Sequence, residues 1–132
     1  MASNEKKDNN MNGSFDLRSY AYFFERRIEM PKTKHYKKES DFQSDLIKQI
    51  KKELPGSLVL KNDSGYLQGI PDLVVMHGDK FALLEVKKSP DEPHQPNQDY
   101  YIEKAQAESF GEFIFPENKQ QVLSEMYKYF AR

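Results

Sequence analysis

Neither cysteine nor tryptophan occurs among the 132 residues. Without cysteine there are no disulfides, no thiolate metal sites and no thiol redox chemistry. Charge of neither sign is in excess: 20 Lys and Arg stand against 21 Asp and Glu, a formal charge of −1. Global charge therefore points to neither a nucleic acid nor a membrane, and any such binding must come from a local patch. Apolar runs are short, well below the roughly 18 residues that cross a bilayer. The opening MASNEKKDNNMNGS lacks the apolar segment of a secretory signal. The expectation is a soluble, cytoplasmic protein with no membrane partner. Its small size fits a phage or mobile-element gene product acting in a bacterial host.

Hydrophobic residues make up 37% and aromatics 13%, with nine Phe and eight Tyr. That is enough for one thin domain core in which rings do much of the filling. Residues 1–14 hold almost nothing to bury and read as a disordered tail. Residues 15–38 form an aromatic and basic extension. Its first part, FDLRSYAYFFERRIEM (15–30), is dense in apolar side chains at partly helical spacing. It suits docking on the body of the protein, on a second subunit or on a protein partner. From Arg26 to Lys38 there are six basic residues (Arg26, Arg27, Lys32, Lys34, Lys37, Lys38) against the single acid Glu29. This stretch is either a solvated linker or an arm that contacts a polyanion backbone.

Residues 39–132 read as the main domain. ESDFQSDLIKQIKKEL (39–54) is the clearest helix: Phe42, Leu46, Ile47, Ile50 and Leu54 share a stripe, Ser40 or Glu39 can cap it, and Pro55-Gly56 stops it. SLVLKN (57–62) reads as a strand. Two further strands, near 71–76 and 81–87, are joined by HGDK, whose Gly78-Asp79 suits a tight hairpin turn. The three-proline loop 88–96 precedes a helix over 97–110, with Asn97 a possible cap and Gly111 its stop. EFIF (112–115) is a short strand, and Pro116 opens a last helix with Val122, Leu123, Met126, Tyr127 and Phe130 on one side. The order helix, strand, strand, strand, helix, strand, helix predicts an α/β fold with a mixed sheet of about four strands flanked by helices.

The strand ALLEVKK is unusual in placing charge where hydrocarbon is expected. Side chains alternate along a strand, so Leu83, Glu85 and Lys87 face one way and Leu84 and Val86 face the core. Counting back from the turn sets Phe81 near Met76 and Glu85 near Asp72. Two carboxylates that close repel unless a positive charge lies between them. A hard divalent cation fits, because Mg²⁺ takes oxygen ligands, keeps several waters and is completed by substrate phosphates. Lys87 then stands where it can orient an attacking water, help deprotonate it or stabilise phosphate charge. Glu39, at the start of the first helix, is a candidate third carboxylate, and Gln43 lies on the same helical face to position it or a water. Taken singly these residues are ordinary: Asp72 a strand-start residue, Glu85-Val86-Lys87 a solvated edge, Glu39 a helix cap. The three histidines, His35, His77 and His94, lack ligand spacing and are assigned no role.

The assembled pattern resembles the PD-(D/E)XK nuclease superfamily. Pro71-Asp72 matches its first signature and Glu85-Val86-Lys87 its second. The likeness is closest to the VRR-NUC branch, similar in turn to phage-type Holliday-junction resolvases. It rests on Glu39 and Gln43 in an early helix, on KNDSGYLQGIPDL, and on Gln98 and Tyr101 opening the helix after the proline loop. It covers about residues 39–125. The resemblance implies a restriction-endonuclease-like core, cleavage of DNA phosphodiester bonds, and a homodimer. It also implies that Glu39, Asp72, Glu85 and the Val86 carbonyl hold Mg²⁺ or Mn²⁺, that Lys87 assists the nucleophilic water, and that Gln98 supports the site. Arg26, Arg27, Lys34, Lys37 and Lys38, with Lys48, Lys51 and Lys52 on the first helix, are candidates to track a DNA backbone. Tyr66, Tyr100 and Tyr101 are candidates to stack on unpaired bases. A nuclease-like fold retained for binding nucleic acid or a host protein is the competing expectation. A sequence-specific restriction-type enzyme ranks lower, for the chain is short for a separate target-reading domain.

Overall fold

The computed structural model describes residues 34–132. The expected tail 1–14, nearly all of the extension 15–38, and Arg26 and Arg27 with it lie outside the described residues. Helix α1 spans Glu39–Glu53, strand β1 Leu58–Lys61, β2 Leu73–His77, β3 Lys80–Val86, helix α2 Gln98–Glu108, β4 Phe110–Ile114 and helix α3 Lys119–Phe130. The element order is the expected one, and the fold is α/β, compatible with a restriction-endonuclease-like core. Among the described residues, no helix is long and apolar enough to cross a membrane.

The sheet runs β1-β2-β3-β4. The first three strands are antiparallel neighbours, while β4 lies parallel to β3, which makes the sheet mixed. A parallel neighbour needs a crossover, and loop 88–97 with α2 supplies it. The hairpin register pairs Met76 with Phe81 and His77 with Lys80. Of the two turn residues only Gly78 takes a positive φ, 63°, as in a type II′ turn, whose first central position favours glycine.

One face of the sheet carries the core. Leu73, Val75, Ala82, Leu84, Val86 and Ile114 meet Phe42, Leu46 and Ile50 of α1 and Val122, Leu123, Met126 and Tyr127 of α3. Each fully buried Val, Leu, Ile, Phe or Met among them contributes about 1.5–3 kcal/mol. Helix α2 lies on the other face. Gly111 is an odd number of residues from Ile114 and so points away from the core; a Cβ on it would stand 2.7 Å from both the Ala105 Cβ and the Ile102 carbonyl.

Gly111 therefore does not stop α2, as the sequence suggested. It lies inside β4, where its missing side chain lets the helix pack against the strand, and β4 accordingly begins at Phe110. Two expected caps also differ. Helix α1 starts from an extended Lys38 with no side-chain cap bond, so Glu39 and Ser40 sit inside its first turn. Asn97 does precede α2, but in a left-handed conformation and without a capping bond; its side-chain amide points to the Gln68 carbonyl at 3.5 Å. Pro116 opens a short 3₁₀ turn, and α3 follows from Lys119.

Candidate active site

The site begins with a proline. Extending the β2–β3 register from Leu73↔Leu84 sets Asp72 opposite Glu85 and Pro71 opposite Val86. The Asp72 carbonyl accepts from Asn62 N–H on the β1 side at 2.8 Å, so Asp72 and Glu85 form a non-hydrogen-bonded pair, the position where facing side chains come closest. One step further, an ordinary residue at 71 would exchange backbone hydrogen bonds with Val86. Proline has no N–H to give. The Pro71 carbonyl instead accepts from the Asn62 side chain at 2.7 Å, and the Val86 N–H donates to Asp72 Oδ2 at 2.9 Å. The Val86 carbonyl projects from the same strand edge as its N–H, toward a neighbour that cannot donate to it.

Glu85 and Lys87 lie on the face opposite the core, and both are buried, 4% and 3% exposed. Gln98, the first residue of α2, bridges them. Its Oε1 accepts from Lys87 Nζ at 2.8 Å and its Nε2 donates to Glu85 Oε2 at 2.9 Å. Oε1 also accepts from the Gln95 N–H at 2.8 Å, which fixes the orientation of the amide. The proline loop closes over the ammonium. Pro93 O accepts from Lys87 Nζ at 3.2 Å, and Glu92 Oε2 lies 3.9 Å from it, as does Glu85 Oε2. Gly69 permits this closure. Its φ is 85°, and a Cβ there would meet Pro96 O at 2.5 Å and Asn97 Cβ at 2.6 Å.

The carboxyls crowd one another. Burial, and next the charge of Asp72, push Glu85 up to about 8, with Lys87 pulling the other way. Burial raises Asp72 as well, against the hydrogen bond from the Val86 N–H, the hydrogen bond with the Glu85 carboxyl and the Lys87 charge. Glu39 is pushed up to about 7 by burial, then by the charges of Glu92 and Asp72. Glu85 Oε1 is buried with no hydrogen-bond partner. That lack is of N–H and hydroxyl donors: the Glu85 and Asp72 carboxyls hydrogen-bond each other, which raises the first and lowers the second.

The structure thus brings Glu39, Asp72, Glu85, Val86, Lys87 and Gln98 into one neighbourhood. Gln43 is buried on α1, 9% exposed. Tyr101 is half-buried and meets Tyr100 edge-on, 5.1 Å between ring centres. Tyr66 and Tyr100 are exposed. Lys34, Lys37 and Lys38 are exposed, and Lys34 is paired with Asp45 at 3.2 Å. Sequence reasoning missed Glu92. Its one signal was being an acid in the proline loop close after Lys87, and only the loop's path brings it to the ammonium.

Among the described residues, no three His, Asp or Glu side chains already stand in position to hold a metal ion together. What the residues offer is the Asp72–Glu85 carboxyl pair, one of whose oxygens is buried without an N–H or hydroxyl donor, and the Val86 carbonyl. That donor set suits Mg²⁺, which takes one or two carboxylates and fills its octahedron with water and phosphate. Compared with family models, curated proteins and solved structures, the chain matches none.

Proposed function

We propose that the protein is a divalent-metal-dependent endonuclease that hydrolyses DNA phosphodiester bonds, with flapped or branched DNA as the substrate class. The observation that carries this reading is the meeting of Asp72, Glu85 and Lys87 at one point, with Glu85 Oε1 buried away from any N–H or hydroxyl donor. A protein interior does not keep crowded carboxyls beside a buried ammonium for stability, because each buried charge costs more than its pairing returns unless fully compensated. Perturbed carboxyls gathered around a lysine mark functional sites.

Asp72 and Glu85, with the Val86 carbonyl and Glu39 beside them, are the groups that would hold Mg²⁺ or Mn²⁺. Such an ion supplies Lewis acidity and an activated water. Lys87, locked by Gln98 and Pro93, offers a fixed positive charge to the phosphate oxygens that become more negative in the transition state. Gln98 keeps ammonium and carboxylate in a single geometry. A homodimer and a cytoplasmic setting accompany this reading.

Calorimetric titration of Mn²⁺ tests it. Wild type is expected to bind and Asp72→Ala to lose that binding. Equal weak binding by both would favour a nuclease-like protein that only binds its partner.

A further inference from the structure

Glu92 differs from the other carboxylates around Lys87. It is carried by the loop 88–96, with prolines at 90, 93 and 96, and not by a strand or helix. Its side chain is 32% exposed, against 6% for Glu85. The Lys88 N–H holds one of its oxygens at 2.7 Å, while the other approaches Lys87 Nζ at 3.9 Å.

An ammonium has three donors. One of those on Lys87 goes to Gln98 at 2.8 Å and one to Pro93 at 3.2 Å. The remaining one faces Glu85 and Glu92, each 3.9 Å away. Glu85 is fixed on β3 and held by Gln98. Glu92, on a loop and partly solvated, is the carboxylate of the two that can leave.

To an ammonium, a carboxylate and a phosphodiester offer the same thing: two oxygens sharing one negative charge. We infer that Glu92 occupies the seat on Lys87 that a substrate phosphate takes, and that the loop 88–96 withdraws it when a phosphodiester binds. This rests on the nuclease reading above and adds to it a residue that sets substrate affinity. A phosphate arriving with Glu92 in place would put two anions on one ammonium beside Asp72 and Glu39, and like charges at that distance repel. Glu92 is a positioning residue: it holds Lys87 in the substrate-free site and competes with the phosphate for it.

The test uses Glu92→Gln, which keeps the shape and the bond from Lys88 N–H, and Glu92→Ala, which removes both. Steady-state cleavage is measured in Mn²⁺ on whichever of labelled single-stranded, flapped and four-way DNA wild type cuts best. Mn²⁺ affinity is measured by calorimetry in parallel. KM is expected to fall by about threefold to tenfold in both variants, the relief that follows when a binding-competent state no longer has to be populated against a competitor. Mn²⁺ affinity is expected to fall by less than about tenfold, since Glu92 is no cation ligand. A KM unmoved or raised in both variants overturns the inference while wild-type cleavage leaves the nuclease reading standing. A tenfold loss of Mn²⁺ affinity overturns it too, by making Glu92 a cation ligand. Wild type that neither cuts DNA nor binds Mn²⁺ removes the nuclease reading and this inference with it.

Discussion

Asp72 and Val86 are joined by a hydrogen bond from backbone to side chain, 2.9 Å long, at the point where Pro71 interrupts the β2–β3 ladder. One carboxylate oxygen thereby does the work of a missing strand partner, and the side chain is held against Glu85. The proline and the aspartate act as a unit: the proline, having no N–H, leaves the Val86 carbonyl without a strand donor, while the aspartate accepts from the Val86 N–H in place of the Pro71 carbonyl, which Asn62 occupies, and contributes charge.

Asp72→Asn should keep the Val86 hydrogen bond and remove the charge. Its Mn²⁺ affinity is expected to fall at least about tenfold to a hundredfold, while its thermal unfolding at neutral pH is no worse than that of wild type. Asp72→Ala also orphans the Val86 N–H, a loss of about 1–3 kcal/mol offset in part by relief of the carboxyl crowding. Calorimetry and melting curves on the pair separate the two roles.

The raised carboxyls make stability depend on pH with a definite sign. Glu85 goes from an ordinary 4.5 to about 8, and Glu39 from 4.5 to about 7. Between those limits the folded protein binds more protons than the unfolded chain, so stability falls as pH rises through the window. The facing groups Asp72 and Glu92 strengthen the trend and Lys87 opposes it. Without divalent metal, Tm should be higher near pH 5.5 than near pH 8. Mn²⁺ at the higher pH should restore several degrees, since a ligand bound only by the folded state stabilises it. Glu85→Gln should flatten the slope; a slope unchanged in that variant would assign the effect elsewhere.

Gln98→Ala removes the amide that bridges Lys87 and Glu85. Support of this kind is worth about tenfold to a hundredfold in activity, and the loss should appear in kcat. Single-turnover rates would show it directly.

Gly69→Ala tests whether loop closure positions the site. A left-handed alanine costs ~1–3 kcal/mol, and its Cβ would meet backbone at Pro96 and Asn97 that can yield only by moving the start of α2. Displacing Gln98 by about an ångström would cost about a hundredfold in rate. A lowered Tm with unaltered cleavage would separate fold from site.

Much of the frame was readable from short-range pattern. The Gly78-Asp79 turn fixed the register, and with it Asp72 opposite Glu85 and the burial of Leu84 and Val86 on the reverse face. The stripes of α1 and α3 were visible as helical spacing. Tertiary contact decided the rest. Gly111 reads as a helix stop until α2 is seen pressing on it, and nothing local to Asn97 reveals that its side chain turns toward Gln68. Glu92 reaches Lys87 through the path of a proline loop, which no periodicity encodes. The electrostatic state of the acids was equally hidden, since it depends on burial by elements distant in sequence.

The most direct test of phosphodiester hydrolysis is a cleavage panel of labelled single-stranded, duplex, flapped and four-way DNA with Mg²⁺ and with Mn²⁺, run on wild type and on Lys87→Ala. Wild type is expected to cut at least one substrate and stop when chelator is added, and Lys87→Ala to lose about a hundredfold or more in rate while still binding that DNA. No cleavage of any substrate with either metal, or equal cleavage by Lys87→Ala, would contradict the assignment.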